Sequence, residues 1–572
     1  LFGKNASAGV ISIVTKEPQF DFGGMVEASY GNYDAMVAKG IVTGPITDSI
    51  AASLGGGINI RDGYIRDEGL DRDTNERNRW FTRGQLLFEP SDVFKVRLIG
   101  DYEKTDEDCC GTVLLQNGFT GAAVNALGGR FSDPADPYAD VIYSNFASTN
   151  DIENWGVSGQ IDFGYGPFGI TSITAYRGVD SLTNQDSDFT SADLISENSQ
   201  DLGIRTFTQE FRANAEFGPA SILLGAFYFN EEIDQTNDLL LGSDFRNYAD
   251  LLIQSQTAGA FTADTVEQTV GALLGDPTQF IGRFFGDGQG LDEAYTLDNE
   301  AISLFGQVDF EVTDRLTLTA GLNYTKDKKT FATDTTTSDV FSTIDLAQVG
   351  GIGIYQQALS TTVGNALMLG RPATAAEIGA FAGGNPQAFA AINAGSQAFA
   401  QANANNPDVN PLLNLQALQF LPPFQNVPNA VESGKIKDDD LAFTLRAAYD
   451  LSDSVNLYVS YATGYKPPSV NLSRDSRPTP ADRQALAAAG LAVPNLTAGS
   501  RFADAEESEV YELGIKGNWG PAQVNFAAFR QTITGFQSNI FTGTGFFLAN
   551  AGEQQVTGFE FDGTVFPVEP LM

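Results

Sequence analysis

Apolar and polar side chains alternate along this chain in many separate stripes, each about ten residues long. Between residues 315 and 325, Leu316, Leu318, Ala320, Leu322 and Tyr324 fall on one face; Thr317, Thr319, Gly321, Asn323 and Thr325 fall on the other. Phe94, Val96, Leu98 and Tyr102 oppose Lys95, Arg97, Asp101 and Glu103. Phe207, Phe211, Ala213 and Ala215 oppose Thr208, Glu210, Arg212, Asn214 and Glu216, and near the end Phe559, Phe561 and Val565 oppose Glu560, Asp562 and Thr564. Ten residues is the length of a tilted strand crossing a bilayer. No apolar run is long enough for a membrane-spanning helix. In lipid the remaining way to satisfy every backbone group is a closed sheet.

A soluble antiparallel sheet also alternates. Two features set this chain apart. It holds about sixteen stripes, more than open twisted sheets usually carry. Its connections also alternate in length. Short turns are expected at 44–48, 89–92, 165–168, 217–220, 313–315, 450–454 and 518–522, rich in Gly, Pro, Asp and Ser. Long loops are expected at 61–77, 105–154, 181–202, 232–300, 330–438 and 466–506. Tight turns at one end and long loops at the other are the asymmetry of an outer-membrane barrel. The fold class is all-β, a transmembrane antiparallel β-barrel set in outer-membrane lipid. Tyr30, Tyr33, Trp80, Phe81, Tyr102, Trp155, Tyr324, Tyr461, Tyr465 and Trp519 lie near strand ends, where interfacial aromatic girdles form. Residues 361–405 carry no strand pattern. They read as folded extracellular decoration, with short helices within 386–400.

The 572 residues carry a formal charge of −39, which excludes nucleic acid as a natural partner. Two Cys and no His leave no zinc site and no Ser/His/Asp or Cys/His catalytic set. No enzyme activity, cofactor or metal is expected. Gly55, Gly56 and Gly57 lie within a strand with no Lys after them, so they form no phosphate loop. No leader-like apolar segment follows a basic start, and both ends read as cut.

Residues 1–18 read LFGKNASAGVISIVTKEP. Gly3 and Asn5 precede Gly9, an apolar strand, then Thr15 and Lys16. This resembles the last strand of the plug domain in TonB-dependent outer-membrane receptors, siderophore receptors among them. Residues 26–33 (VEASYGNY) resemble the first barrel strand of that family. YVSYATGYKPP at 458–468, YELGIKG within 506–517, NFAAF at 525–529, NAG at 550–552 and GFE at 558–560 follow in the family's order. The resemblance implies a barrel of about twenty-two strands, with the end of the plug at 1–18 and an incomplete barrel at 19–572. It implies TonB-driven uptake across the outer membrane of a Gram-negative bacterium, with TonB engaged through an N-terminal segment outside this sequence. The implied cargo is an extracellular small molecule such as a ferric siderophore. A receptor for a carbohydrate or other organic nutrient is the alternative within the class; a plugless porin or adhesin is the alternative outside it. Haem is disfavoured, because its receptors commonly use a His ligand.

Two further features stand out. Cys109 and Cys110 are neighbours with no other Cys to pair with, so a vicinal disulfide is expected in the oxidising exterior. Asp62, Asp67, Glu68, Asp71, Asp73 and Glu76 crowd one loop. Their spacing matches no calcium loop, and a solvated acidic face is expected. The sequence singles out no substrate-binding residues.

Overall fold

The computed structural model describes residues 13–419, 434–472, 480–489, 501–541 and 546–566. Sixteen strands form one sheet in chain order, each antiparallel to the next. They are β1 Gly23–Gly31, β2 Ala35–Thr47, β3 Ile50–Arg61, β4 Arg77–Ser91, β5 Phe94–Glu107, β6 Thr149–Tyr165, β7 Phe168–Asn184 and β8 Ile195–Phe217. Then come β9 Ala220–Leu241, β10 Gly290–Thr313, β11 Leu316–Thr337, β12 Lys435–Ser452, β13 Val455–Lys466, β14 Glu506–Asn518, β15 Ala522–Phe541 and β16 Phe546–Val565. This is the expected strand number. Among the described residues, no hydrogen-bonded pair joins β1 to β16.

Apolar stripes point outward. Leu322 on β11 is 55 % exposed, and Leu304, Leu318, Leu445, Val459 and Leu513 are exposed with it. In water such a face would be an aggregation surface; in hydrocarbon it is the solvated side. The opposite faces, richer in polar residues, look into the lumen.

The turns at one end are 48–49, 92–93, 166–167, 218–219, 314–315, 453–454 and 519–521. Gly166 and Gly218 take positive φ there, and each precedes a proline. Glycine supplies the left-handed residue and proline fixes the next φ, so the strand reverses in two residues. Phe168 and Phe217 pack edge to face beside these turns, with Trp519 exposed in the same turn layer.

At the other end the strands run further than the sequence suggests. β8 to β11 hold 23, 22, 24 and 22 residues, about twice what crosses a bilayer. Above Tyr324 the outward face carries Glu232, Asp298, Glu300, Lys326 and Lys328. With the outward face polar, the apolar stripe that marks a lipid-facing strand disappears while the ladder continues. The loops expected at 232–300 and 330–438 therefore shrink to 242–289 and 338–434. Tyr465 departs from the girdle expected of it. The β12–β13 ladder ends at Thr444 and Ala462, and Tyr465 is buried there, donating to Asp438 Oδ2 at 2.8 Å. Trp80–Tyr102 and Tyr461–Tyr511 do form outward aromatic pairs, at 5.1 and 4.7 Å.

The outer loops fold together into a helical cap. It contains α1 Gly121–Ala126, α2 Phe245–Gln256, α3 Ala263–Leu274, α4 Leu346–Ala366, α5 Ala375–Gly384 and α6 Pro386–Asn403. Four separate loops contribute to one core: Val124, Leu194, Ile253, Val266, Phe284 and Phe341 are buried in it. Local chemistry sets the helix starts. Thr262 caps α3 and Thr374 caps α5, each in a reciprocal capping box. Pro386 opens α6, as the sequence suggests.

Candidate functional site

Residues 15–19 lie along the lumenal wall. In register, Ala51 pairs with Leu87 and Leu87 with Arg97; one row away, Thr43, Ser53, Gln85 and Ile99 align. Alternation turns all of these into the lumen. Arg97 is only 6 % exposed, and its partners are neutral oxygens. Its guanidinium donates to Thr15 O at 3.1 Å, Thr15 Oγ1 at 2.9 Å, Lys16 O at 3.3 Å, and Gln85 Oε1 at 2.6 and 3.1 Å. Gln85 Nε2 donates to Lys16 O at 3.3 Å. Lys95 pairs with Glu17 at 3.0 Å, and Gln19 N donates to Thr43 Oγ1 at 2.8 Å. A planar group with five donors can bridge a side-chain amide, a hydroxyl and two main-chain carbonyls together. Of the motif residues, Thr15 and Lys16 sit in this dock; Gly3, Asn5 and Gly9 lie outside the described residues. Alternation alone places Arg97 and Gln85 in the lumen, but only the folded chain shows what they hold.

The loops after β3 and β5 meet outside the membrane. Strands Ile65–Asp67, Arg72–Thr74 and Val141–Ile142 make a small sheet. Asp62, Glu68, Asp71 and Asp73 are exposed, as a solvated acidic face requires, and Asp67 alone is buried; several of them are also engaged by neighbours. Asp67 is buried and accepts from Gly69 N at 2.9 Å and Ser144 N at 3.1 Å. Glu68 accepts from Tyr143 OH at 2.9 Å and Arg130 Nη2 at 3.2 Å. Asp71 and Asp73 pair with Arg66. These carboxylates shape turns and pin strands. Among the described residues, no group of His, Cys, Asp or Glu is placed to hold a metal ion.

Cys109 and Cys110 stand side by side with their sulfurs in contact. Asn75 grips both flanks: its N–H donates to Asp108 O at 3.1 Å, and its Oδ1 accepts from Gly111 N at 2.8 Å.

Asp186 and Asp188 occupy the connection between β7 and β8, outside the membrane. Burial pushes Asp186 up to about 6. Burial, then the nearby Asp186, pushes Asp188 up to about 7. Asp188 still accepts from Thr190 N at 2.9 Å and Ile195 N at 3.0 Å, which ties it to the chain bearing core residue Leu194. The native cap therefore keeps protons that the unfolded chain releases near its ordinary carboxylate pKa. The resulting stability is fully present below about pH 4 and is lost as pH rises through 6 to 7. The helical circular-dichroism melt should occur at higher temperature at about pH 5 than at about pH 8, and Asp188→Asn should flatten the difference. A higher melt at the alkaline end would refute the linkage.

Residues 115–566 match the family model described as TonB dependent receptor-like, beta-barrel. The fold is similar to the ferric yersiniabactin uptake receptor FyuA from Yersinia pestis, at TM-score 0.60 and 15 % identity, over 99 % of this chain and 63 % of that one. It is similar to the siderophore receptor PiuA from Acinetobacter baumannii, at TM-score 0.55 and 13 % identity, over 99 % and 64 %. It is also similar to the ferric-catecholate import receptor Fiu from E. coli K12, at TM-score 0.54 and 14 % identity, over 99 % and 65 %. The chain thus spans less than two thirds of the length of each of these receptors. Its outward apolar wall, turn-and-loop asymmetry and match along most of its length place it in one family: the chain belongs to the TonB-dependent receptor β-barrels of the outer membrane.

Proposed function

We propose that this chain is the barrel part of a transporter in the outer membrane of a Gram-negative bacterium, taking up a ferric siderophore with energy delivered through TonB. Residues 1–18 are read as the end of its plug and 19–572 as barrel wall and outer loops. One observation carries this reading: the chain before β1 is held against the lumenal wall by Arg97, Gln85 and Lys95. A plugless porin or adhesin needs no such dock. The folds of FyuA, PiuA and Fiu support a siderophore as cargo. No bond chemistry is required; recognition outside and a gated path inside suffice.

The test is binding and uptake by the full-length gene product. Ferric siderophores should bind it in outer membranes, and iron uptake should stop when TonB is deleted. Binding with uptake that ignores TonB would overturn the proposal; uptake of a sugar instead would favour the organic-nutrient alternative. Cys109 and Cys110 are read as a vicinal disulfide, an assignment that an unchanged mass after reduction would overturn.

A further inference from the structure

Two described pieces of the connection between β13 and β14 lie against the lumenal wall. Residues 467–472 leave β13 and turn over the lumen, and residues 501–505 return to β14. Ser469–Val470 pairs with Phe502–Ala503, and Asn471 N donates to Arg501 O at 2.8 Å. These two segments cross the wall to β9. There Gln235, on the lumenal face, donates through Nε2 to Leu472 O at 3.0 Å. On β11, Thr333 Oγ1 accepts from Arg501 at 3.3 Å, and the Phe331 ring meets Phe502 at 5.5 Å. Tyr295, Leu297, Phe331 and Thr333 are buried, although their faces point into the lumen.

Gln537 on β15 fastens both ends. Its Nε2 donates to Pro467 O at 3.0 Å and to Asp504 O at 2.9 Å. Its Oε1 accepts from Ser469 Oγ at 2.6 Å, and its backbone N–H donates to Glu506 Oε1 at 2.6 Å. Asn550 on β16 reinforces the return end, exchanging hydrogen bonds with Asp504 at 2.7 and 2.9 Å. Both amide N–H groups and the amide oxygen of Gln537 are used, so its orientation is fixed. A side chain tied in this way holds a segment in place, because breaking one bond leaves buried groups without partners.

We propose that residues 467–472 and 501–505 form a fixed strap that narrows the outer lumen and sets the largest cargo admitted, with Gln537 as its positioning residue. The inference rests on the transport reading above. Cargo entering from outside passes the lumenal face of β9 to β14, and the strap occupies that face. A wider ligand meets main chain pinned at three strands, and a narrower one passes beside it.

Gln537→Glu tests this with almost no change in shape. It replaces two donors by acceptors facing Pro467 O and Asp504 O, which repels both strap ends. The full-length protein in outer membranes is probed with trypsin and with ferric trihydroxamate chelates of increasing size. Tryptic cleavage after Arg501, buried in the strap, should rise about tenfold, and the size at which binding is lost should move upward. Should Gln537→Glu fail to insert, Gln235→Leu, which removes the anchor on β9 together with a bond to Asn237, carries the same comparison. Unchanged cleavage would overturn the role of Gln537. Released strap with an unchanged size limit would overturn the size filter alone. A wild-type protein that binds no chelate would overturn the transport reading, and the filter with it.

Discussion

Replacing Phe341 with alanine should loosen the extracellular cap by about 3–5 kcal/mol and leave the barrel standing. Phe341 is fully buried, with ring centroids 5.0 Å from Phe284 and 4.7 Å from Phe285. Gln419 donates to its carbonyl at 2.8 Å and to Ile344 O at 2.8 Å, closing the chain over it. The cavity left by the ring would lie where α2, α3, α4 and the turn Pro411–Leu418 converge, in the core that the outer loops share. Barrel strands draw their stability from the ladder and from lipid, so the loss stays local. The helical circular-dichroism melt should therefore drop well below the temperature at which the barrel loses its resistance to heated detergent. One shared transition, shifted as a whole, would show that cap and wall unfold as a unit. The same change at Phe399, half exposed on α6, should move nothing by more than about 0.5 kcal/mol.

The contrast between wall and cap also explains what the sequence could disclose. Where lipid touches the chain, it demands an apolar residue at every second position, so Leu318, Leu322 and Tyr324 announce their strand. Above the bilayer that demand ends. Glu300 and Lys328 face outward in the same ladder as Leu304, and the strand becomes invisible to a hydrophobic pattern. α6 was foreseeable, because a proline opens a run rich in alanine and glutamine. α2, α3 and α4 were not, since their apolar residues answer to partners on other loops. The contacts of Asp67 and Glu68 are hidden from the sequence for a related reason. Their partners, Ser144 and Tyr143, are more than seventy residues away in sequence. Residues 466–506 carry the pattern of an ordinary outer loop: Pro467 and Pro468 signal the end of β13 but not the direction the chain takes next.

Arg97 is the residue whose loss should matter most for the dock at the lumenal wall. Arg97→Met keeps an unbranched apolar stem and removes every donor. Thr15 O, Lys16 O and Gln85 Oε1 would then face a thioether. Each buried acceptor left unmade costs about 1–3 kcal/mol, though such losses do not simply add. Lys95→Met is the matched control. It breaks an ion pair with Glu17 in which both side chains keep about a third of their exposure, and pairs of that kind contribute about 0–1 kcal/mol. Arg97→Lys should fall between them, since an ammonium cannot present the fork that spans an amide and two carbonyls. In the full-length protein, Arg97→Met should let residues 15–19 leave the wall, read as new protease cleavage at Lys16 and as sensitivity to antibiotics too large for porins. Lys95→Met should do neither. Two equally tight variants would mean that the segment is held from elsewhere. Two equally leaky ones would mean that charge in the lumen, rather than the hydrogen-bond geometry of one guanidinium, keeps the chain against the wall.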